Sequence, residues 1–335
     1  MIKSFAKKAI KIAGSAWGQR VTVLVLICIV MAVLEPRFFR AANAKSILLA
    51  ISVNGIMACG MLFTVLVGGM DLSVGSMAGI SASIVFVITK AYGFSSDSFF
   101  VGCAIALALC LVAGFLNGFF VTYFGLPAFV VTLAMKYILF GSIYMVTQGF
   151  FVIPPPQSMA SRLGNASVYG VPTPVILFVL IVVICAFVLG VTTYGRKLYA
   201  IGGNKNVANL AGVKSNVNIW GAYMISSVLA GLGGLLLASM NGQAGQSTAI
   251  NYEGNVLMAM VVGGINLAGG EGGVPGAVFG ALLVGIINNV MLFLSISSDI
   301  QKFVQGVVIL AAMTLNMYAR RGSAGVLAVK TKKAS

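Results

Sequence analysis

Reactive chemistry has few places to reside in this chain. Its 335 residues hold six carboxylates, Glu35, Asp71, Asp97, Glu253, Glu271 and Asp299, and no histidine. A Ser-His-Asp triad and a histidine-ligated zinc site are therefore excluded. The five cysteines, Cys28, Cys59, Cys103, Cys110 and Cys185, all lie inside apolar runs without C-x-x-C spacing. They read as small packing residues. No G-x-x-x-x-G-K-[ST] stretch is present to cradle nucleotide phosphates. The expectation is a chain that is not an enzyme and holds no cofactor or metal of its own.

Every carboxylate falls at or near the end of an apolar run. An ion-coupled transporter keeps ionisable groups within the bilayer, and Asp71 is the nearest approach to one. It stands in Gly68-Gly69-Met70-Asp71-Leu72-Ser73-Val74-Gly75-Ser76. One reading is a carboxylate that caps a helix beginning near Ser73, since carboxylates favour helix N-termini. The other is a group lining or gating a path, with Ser73, Ser76 and Asn117 offering polar contacts to a hydroxylated solute. Serines in lipid-embedded helices more often bond other helices. Glu271 sits in a glycine turn and reads as a local cap or a partner contact.

The stretch Tyr194 to Lys214, YGRKLYAIGGNKNVANLAGVK, carries four cations, Arg196, Lys197, Lys205 and Lys214. Gly202-Gly203-Asn204 reads as a turn. Asn204 then caps a short helix from Lys205 to Ala211, ended by Gly212. The alternative is a solvated basic connector.

These groups must be positioned by membrane-spanning helices. The chain is 59% hydrophobic and 8% charged, against about a quarter charged in soluble domains. Ten apolar runs approach the ~20 residues a spanning helix needs: Arg20–Pro36, Ser46–Gly68, Leu72–Lys90, Phe99–Phe124, Ala128–Thr147, Pro174–Thr192, Asn218–Ser239, Gly254–Ala268, Val274–Leu294 and Ile300–Tyr318. The third and eighth could be broken or re-entrant. The fold class is an all-α integral membrane protein of about ten helices. Residues 1–19 form a basic amphipathic segment on the cytoplasmic surface, 20–318 the membrane domain and 319–335 a basic cytoplasmic tail.

The net charge of +15 could suggest nucleic acid, but its distribution argues otherwise. Fourteen cations fall in the N-terminal segment, the 194–217 loop and the tail; six fall on the opposite side, and Lys136 is left within the fifth span. By the positive-inside rule both termini face the cytoplasm. The 148–173 loop, with Pro154-Pro155-Pro156, then faces outside as an ordered or extended loop. So does the polar stretch Asn241 to Glu253. The A-x-A at Ala42-Asn43-Ala44 lies too far past the first apolar run for a cleavage site. That run reads as an uncleaved first helix.

A weak internal repeat aligns Val67-Gly68-Gly69-Met70-Asp71-Leu72-Ser73-Val74-Gly75 with Val262-Gly263-Gly264-Ile265-Asn266-Leu267-Ala268-Gly269-Gly270. An even number of spans separates the copies, so the repeat is expected to be parallel.

Three stretches resemble the ribose/galactose/xylose-type permeases of bacterial ABC importers, in the superfamily that includes the branched-chain amino acid permeases. They are Gly68 through Ser76; Tyr194-Gly195-Arg196 through Gly202-Gly203-Asn204 and Ala211-Gly212-Val213; and Val261-Val262-Gly263-Gly264 with Gly269-Gly270-Glu271-Gly272. Order and hydropathy agree from about Ser46 to Arg320. The resemblance implies a permease that pairs with a second, identical or similar subunit in the bacterial cytoplasmic membrane. It implies a separate ATPase carrying ATP and magnesium, with the cytoplasmic loop as its coupling helix. It also implies a sugar-binding protein delivering the solute from outside. A permease for another small polar solute such as a nucleoside or autoinducer, an ion-coupled secondary transporter and a membrane structural or sensor subunit are the competing readings.

Overall fold

The computed structural model describes residues 16–311 and 313–314. The surface segment expected over 1–19 lies outside them up to residue 15, as does the whole basic tail 319–335. The described helices are α1 (Ala16–Leu34), a 3-10 turn (Pro36–Phe39), α2 (Ala41–Leu66), α3 (Val74–Ala91), α4 (Ser96–Tyr123), α5 (Ala128–Thr147), α6 (Met159–Asn165), α7 (Thr173–Val191), α8 (Thr193–Gly203), α9 (Lys205–Leu210), α10 (Ser215–Asn241), α11 (Tyr252–Val262) and α12 (Val274–Phe293). A further helix, α13, covers 298–311. Strands β1 (Ser167–Val168) and β2 (Val171–Pro172) form a small antiparallel hairpin between α6 and α7.

Long apolar runs rich in Val, Ile and Leu become helices here because lipid offers no partner to the backbone, and a helix satisfies its own groups. Among the described residues, seven helices are long and apolar enough to cross a membrane: α2, α3, α4, α5, α7, α10 and α12. The other three expected spans are helices too: α1 has 19 residues, while α11 and α13 are shorter over the described residues. α11 has 11 residues, about 16 Å of rise, against a hydrocarbon core of about 30 Å. Its N-terminal approach, 242–251, is polar and runs in turns instead of helix, with Gly245 N–H donating to Thr248 Oγ1 at 3.0 Å.

α2, α3 and α10 form the centre. Their most apolar windows are 78%, 78% and 67% buried, against 33%, 28% and 22% for α4, α5 and α7 on the periphery. Every residue of α2 from Ile51 to Leu66 is buried. Small residues let this centre close up: a Cβ on Gly234 of α10 would overlap the Ala78 backbone of α3, the close approach that lipid-embedded helices favour.

Two connections differ from expectation. The 148–173 segment contains a helix, α6, docked on the end of α10, where Gly164 N–H donates to Ser239 Oγ at 2.7 Å and Asn165 Nδ2 to Ser239 O at 2.8 Å. It also contains the β1–β2 hairpin. The segment joins the 242–251 stretch through a two-bond bridge between Val152 and Ala244, so the two stretches expected on one side do lie at one end. The 194–217 loop is α8, α9 and the first turn of α10.

Candidate functional site

Two features stand out, joined by the first turns of α3. The first is a knot of glycines. α2 ends in a cap where Gly68 N–H donates to Val65 O and Gly69 N–H to Thr64 O; α11 ends with the same pair, Gly264 N–H to Val261 O and Ile265 N–H to Met260 O. Gly68 and Gly264 both take positive φ, +76° and +71°, a conformation that glycine adopts without a Cβ penalty. The equivalent turn residues are thus Gly68 and Gly264, one position away from the sequence alignment. Past the cap the alignment holds. Asp71 Oδ1 accepts from Ser73 N at 3.0 Å, and Asn266 Oδ1 accepts from Ala268 N at 3.1 Å.

The two breaks meet each other and α8. Gly270 N–H donates to Leu66 O at 2.9 Å. A Cβ on Gly202 would overlap both Leu66 O and Gly270 N, and one on Gly269 would sit 2.7 Å from Gly68 N. Tyr199 of α8 donates its hydroxyl to Gly272 O at 2.9 Å, and burial pushes that phenol up from its ordinary pKa. Three glycine stretches separated in sequence therefore close into one backbone-to-backbone contact. Gly263 packs against Gly276 O at the start of α12. Asn266 also closes this turn through its backbone, its N–H donating to Glu271 O at 3.1 Å.

α8 corrects the expected turn at Gly202-Gly203-Asn204: the helix runs through Gly203, and neither glycine takes positive φ. Packing overrides the poor helix propensity of glycine, because Gly195, Leu198 and Ile201 form its buried side. The cap at Asn204 is as expected. Its Oδ1 accepts from Asn206 N at 3.0 Å and Val207 N at 3.1 Å. α9 then stops at Leu210, Ala211 closes the cap, and Gly212 turns the chain at φ +81°. Arg196, Lys197 and Lys205 are exposed, and Arg196 Nη1 donates to Val191 O at 2.9 Å.

Asp71 is fully buried. Besides Ser73 N, Oδ1 accepts from Ser73 Oγ at 2.5 Å, and Oδ2 accepts from Ser226 Oγ of α10 at 2.7 Å. Asn117 of α4 donates Nδ2 to Ser73 Oγ at 3.1 Å, and Thr132 of α5 donates to Met70 O at 3.0 Å. The carboxylate thus fixes the start of α3, and the turn around it is tied to three neighbouring helices. Asp71, Ser73 and Asn117 are closed off from solvent in this conformation.

The second feature is a cleft of about 250 Å³ between the start of α3, the middle of α5 and the 246–253 stretch. Gly75 and Ser76 line it, so of the four residues expected to contact solute only Ser76 borders this opening. Lys136 Nζ donates to Glu253 Oε1 at 2.5 Å inside it. Lys136 is the ninth residue of α5, about 12 Å along the helix axis. Glu253 lies in the first turn of α11, at a helix end as expected, yet the pairing places it deep in the bundle. The signal was in the sequence: Lys136 is the one cation stranded in a span, and a cation there requires a partner.

A sequence model of the family described as "Branched-chain amino acid transport system / permease component" matches residues 43–313. The chain is 34% identical over 316 residues to the L-arabinose transport system permease protein AraH of Escherichia coli (strain K12), covering 92% of this chain and 93% of that protein. It is 32% identical over 301 residues to the ribose import permease protein RbsC of Bacillus subtilis (strain 168), covering 88% and 90%. It is 30% identical over 295 residues to the D-allose transport system permease protein AlsC of Escherichia coli (strain K12), covering 88% and 89%. No solved structure matches the chain.

Proposed function

This chain belongs to the family of branched-chain amino acid transport system permease components, and we propose that it is the membrane-spanning subunit of an ABC importer for a monosaccharide. The similarity to permeases named for L-arabinose, ribose and D-allose, across nearly the whole of each chain, carries the reading. The chain is a multi-pass membrane protein, and its motion is powered by a separate ATPase that binds ATP and magnesium.

The described helices suit such a subunit. α8 and α9 present exposed cations at the glycine-knot end, where the ATPase docks. A push on α8 reaches both helix breaks directly, because Gly202 and Tyr199 touch them. The opposite end, built from 148–172 and 242–251, receives the solute-binding protein. Ten crossings, counting α1, α11 and α13, keep both termini in the cytoplasm, as the fourteen-to-six cation distribution favours. A second copy of the permease completes the path.

The test is transport by proteoliposomes holding the chain with its ATPase and binding protein. A mixture of labelled L-arabinose, D-ribose and D-allose is offered outside. Uptake of at least one sugar that requires ATP with the ATPase and persists with a protonophore is the expected result. Uptake that needs no ATP and collapses with the protonophore would overturn the reading in favour of an ion-coupled carrier.

A further inference from the structure

Lys136 and Glu253 form an ion pair within the bundle, in a cleft whose wall mixes polar groups with Phe140, Ile143 and the exposed Ile250. Tyr137, Gln246 and Asn251 beside it are exposed. An ionised lysine in a span faces a bundle interior or a water-filled cavity, since hydrocarbon disfavours it strongly. At about 250 Å³, the cleft is just under the ~300–1,000 Å³ of ordinary small-molecule pockets.

The pair is also incomplete. Glu253 is 8% exposed, and its Oε2 is buried with no hydrogen-bond partner. That oxygen lies against the α-carbon of Gly75, where any Cβ would overlap it. An ammonium has three donors, and the Lys136–Glu253 bond uses one of them. Two non-glycine residues of the same wall, Ala249 and Asn251, hold positive φ of +57° and +61°. Such outliers are costly and cluster at working sites.

We propose that this cleft is a solute-contacting station of the permeation path, in which the Lys136–Glu253 pair engages the hydroxyls of an uncharged polyol. A sugar hydroxyl both donates and accepts. It accepts from the spare ammonium N–H, and it supplies the donor that Glu253 Oε2 lacks once the carboxylate turns that buried oxygen from Gly75 toward the cleft. The pair carries no net charge, so it suits a neutral solute and holds neither an anion nor a cation in excess. Gly75 is the residue that leaves room for the carboxylate. The inference rests on the reading of the chain as a sugar permease.

Two measurements in the same proteoliposomes test it. First, Gln246→Cys is treated with a membrane-impermeant, charged thiol reagent, and the labelled peptide is read by mass spectrometry so that the native cysteines do not interfere. The expected result is labelling, slowed at least threefold during ATP-driven turnover of the L-arabinose, D-ribose and D-allose mixture. A variant that does not label, or labels at one rate with and without turnover, would overturn the proposal. Second, Glu253→Gln, Lys136→Met and the exchange Lys136→Glu/Glu253→Lys are compared at matched yield and thermal midpoint. A contact role predicts at least a tenfold loss of uptake in all three, including the exchange, which restores the pair but reverses its donors and acceptors around the solute. Full uptake in the exchange variant would make the pair a structural strut and sink the proposal. A wild type that transports none of the sugars refutes the sugar permease reading itself, and a Gln246→Cys variant that still fails to label then removes the water-filled cleft as well.

Discussion

The glycine knot and the ion-pair cleft lie on either side of the short stretch Gly69–Gly75, yet they are built on opposite principles. At the centre of the knot the contacts are backbone on backbone, Gly202 against Leu66 O and Gly270 N, and Gly269 against Gly68, with side chains such as Tyr199 and Asn266 bonding around them. The cleft depends on two side chains that come together from residues 117 positions apart. A steric contact of this kind fails when one carbon is added, whatever its polarity. An electrostatic contact tolerates a change of shape but not a change of charge. In the proposed importer this suits a rigid link at the driven end and a polar, adjustable surface along the path.

The largest expected effect tests the rigid half. Gly202→Leu places a side chain where even a Cβ overlaps backbone atoms of two other segments, and backbone cannot rotate away as a side chain can. Uptake in proteoliposomes should fall to background, with a lowered yield or thermal midpoint in detergent. Wild-type uptake by this variant would show that the three glycine stretches are not in obligatory contact.

Asp71→Ala comes next. It removes the acceptor for Ser73 N–H, Ser73 Oγ–H and Ser226 Oγ–H at a fully buried site. Each stranded donor costs about 1–3 kcal/mol, so denaturation should show a loss of several kcal/mol. Asp71→Asn keeps the shape and at least one accepting oxygen, so its loss should be smaller. Equal losses would mean that the charge, and not the bonding, holds the start of α3.

Asn204→Ala should have a modest effect. It removes the oxygen that caps α9 and leaves two exposed amides to water. Cap removal costs about 0.5–2 kcal/mol, and here it acts on a short surface helix, so the thermal midpoint should barely move. Solute-stimulated ATP hydrolysis should fall severalfold if α9 docks on the ATPase, and should be unchanged if this face is only a basic connector.

Much of this was legible in the sequence, and the reasons differ by residue. The Asn204 cap is a local rule, so side-chain type and position sufficed. The Asp71 and Asn266 turns aligned correctly because each bonds an amide two residues on, within its own segment. The convergence of Gly68, Gly202 and Gly269 left no pattern to read. A glycine shows only that a Cβ is missing, never which distant backbone takes its place. Lys136 was visible as an unpaired cation in a span, but its partner is set by tertiary packing. The length of α11 was overestimated at its far end, because Gly263 to Ala268 is apolar enough to continue a span while its backbone turns at Gly264.

The smallest expected effect separates neighbours within the knot. Gly202 and Gly203 are both helical, both without positive φ, and adjacent at the end of α8. Sequence gives no reason to treat them differently. A Cβ on Gly203 meets nothing within 4 Å, whereas one on Gly202 runs into Leu66 O and Gly270 N. Gly203→Ala should therefore leave the folded structure intact. Alanine is the better helix former by up to about 1 kcal/mol, so the thermal midpoint should hold or rise slightly. Gly202→Ala, the same chemical change one residue earlier, should lower it. Gly203 is also exposed beside the capped α9, so uptake reports separately on the docking face. Retained stability with retained uptake places Gly203 outside both the knot and the ATPase contact. Retained stability with a fall in uptake places the ATPase directly over it. A destabilised Gly203→Ala would mean that α8 does not run through this position as a helix, and would return the Gly202-Gly203 pair to the turn that its sequence suggested.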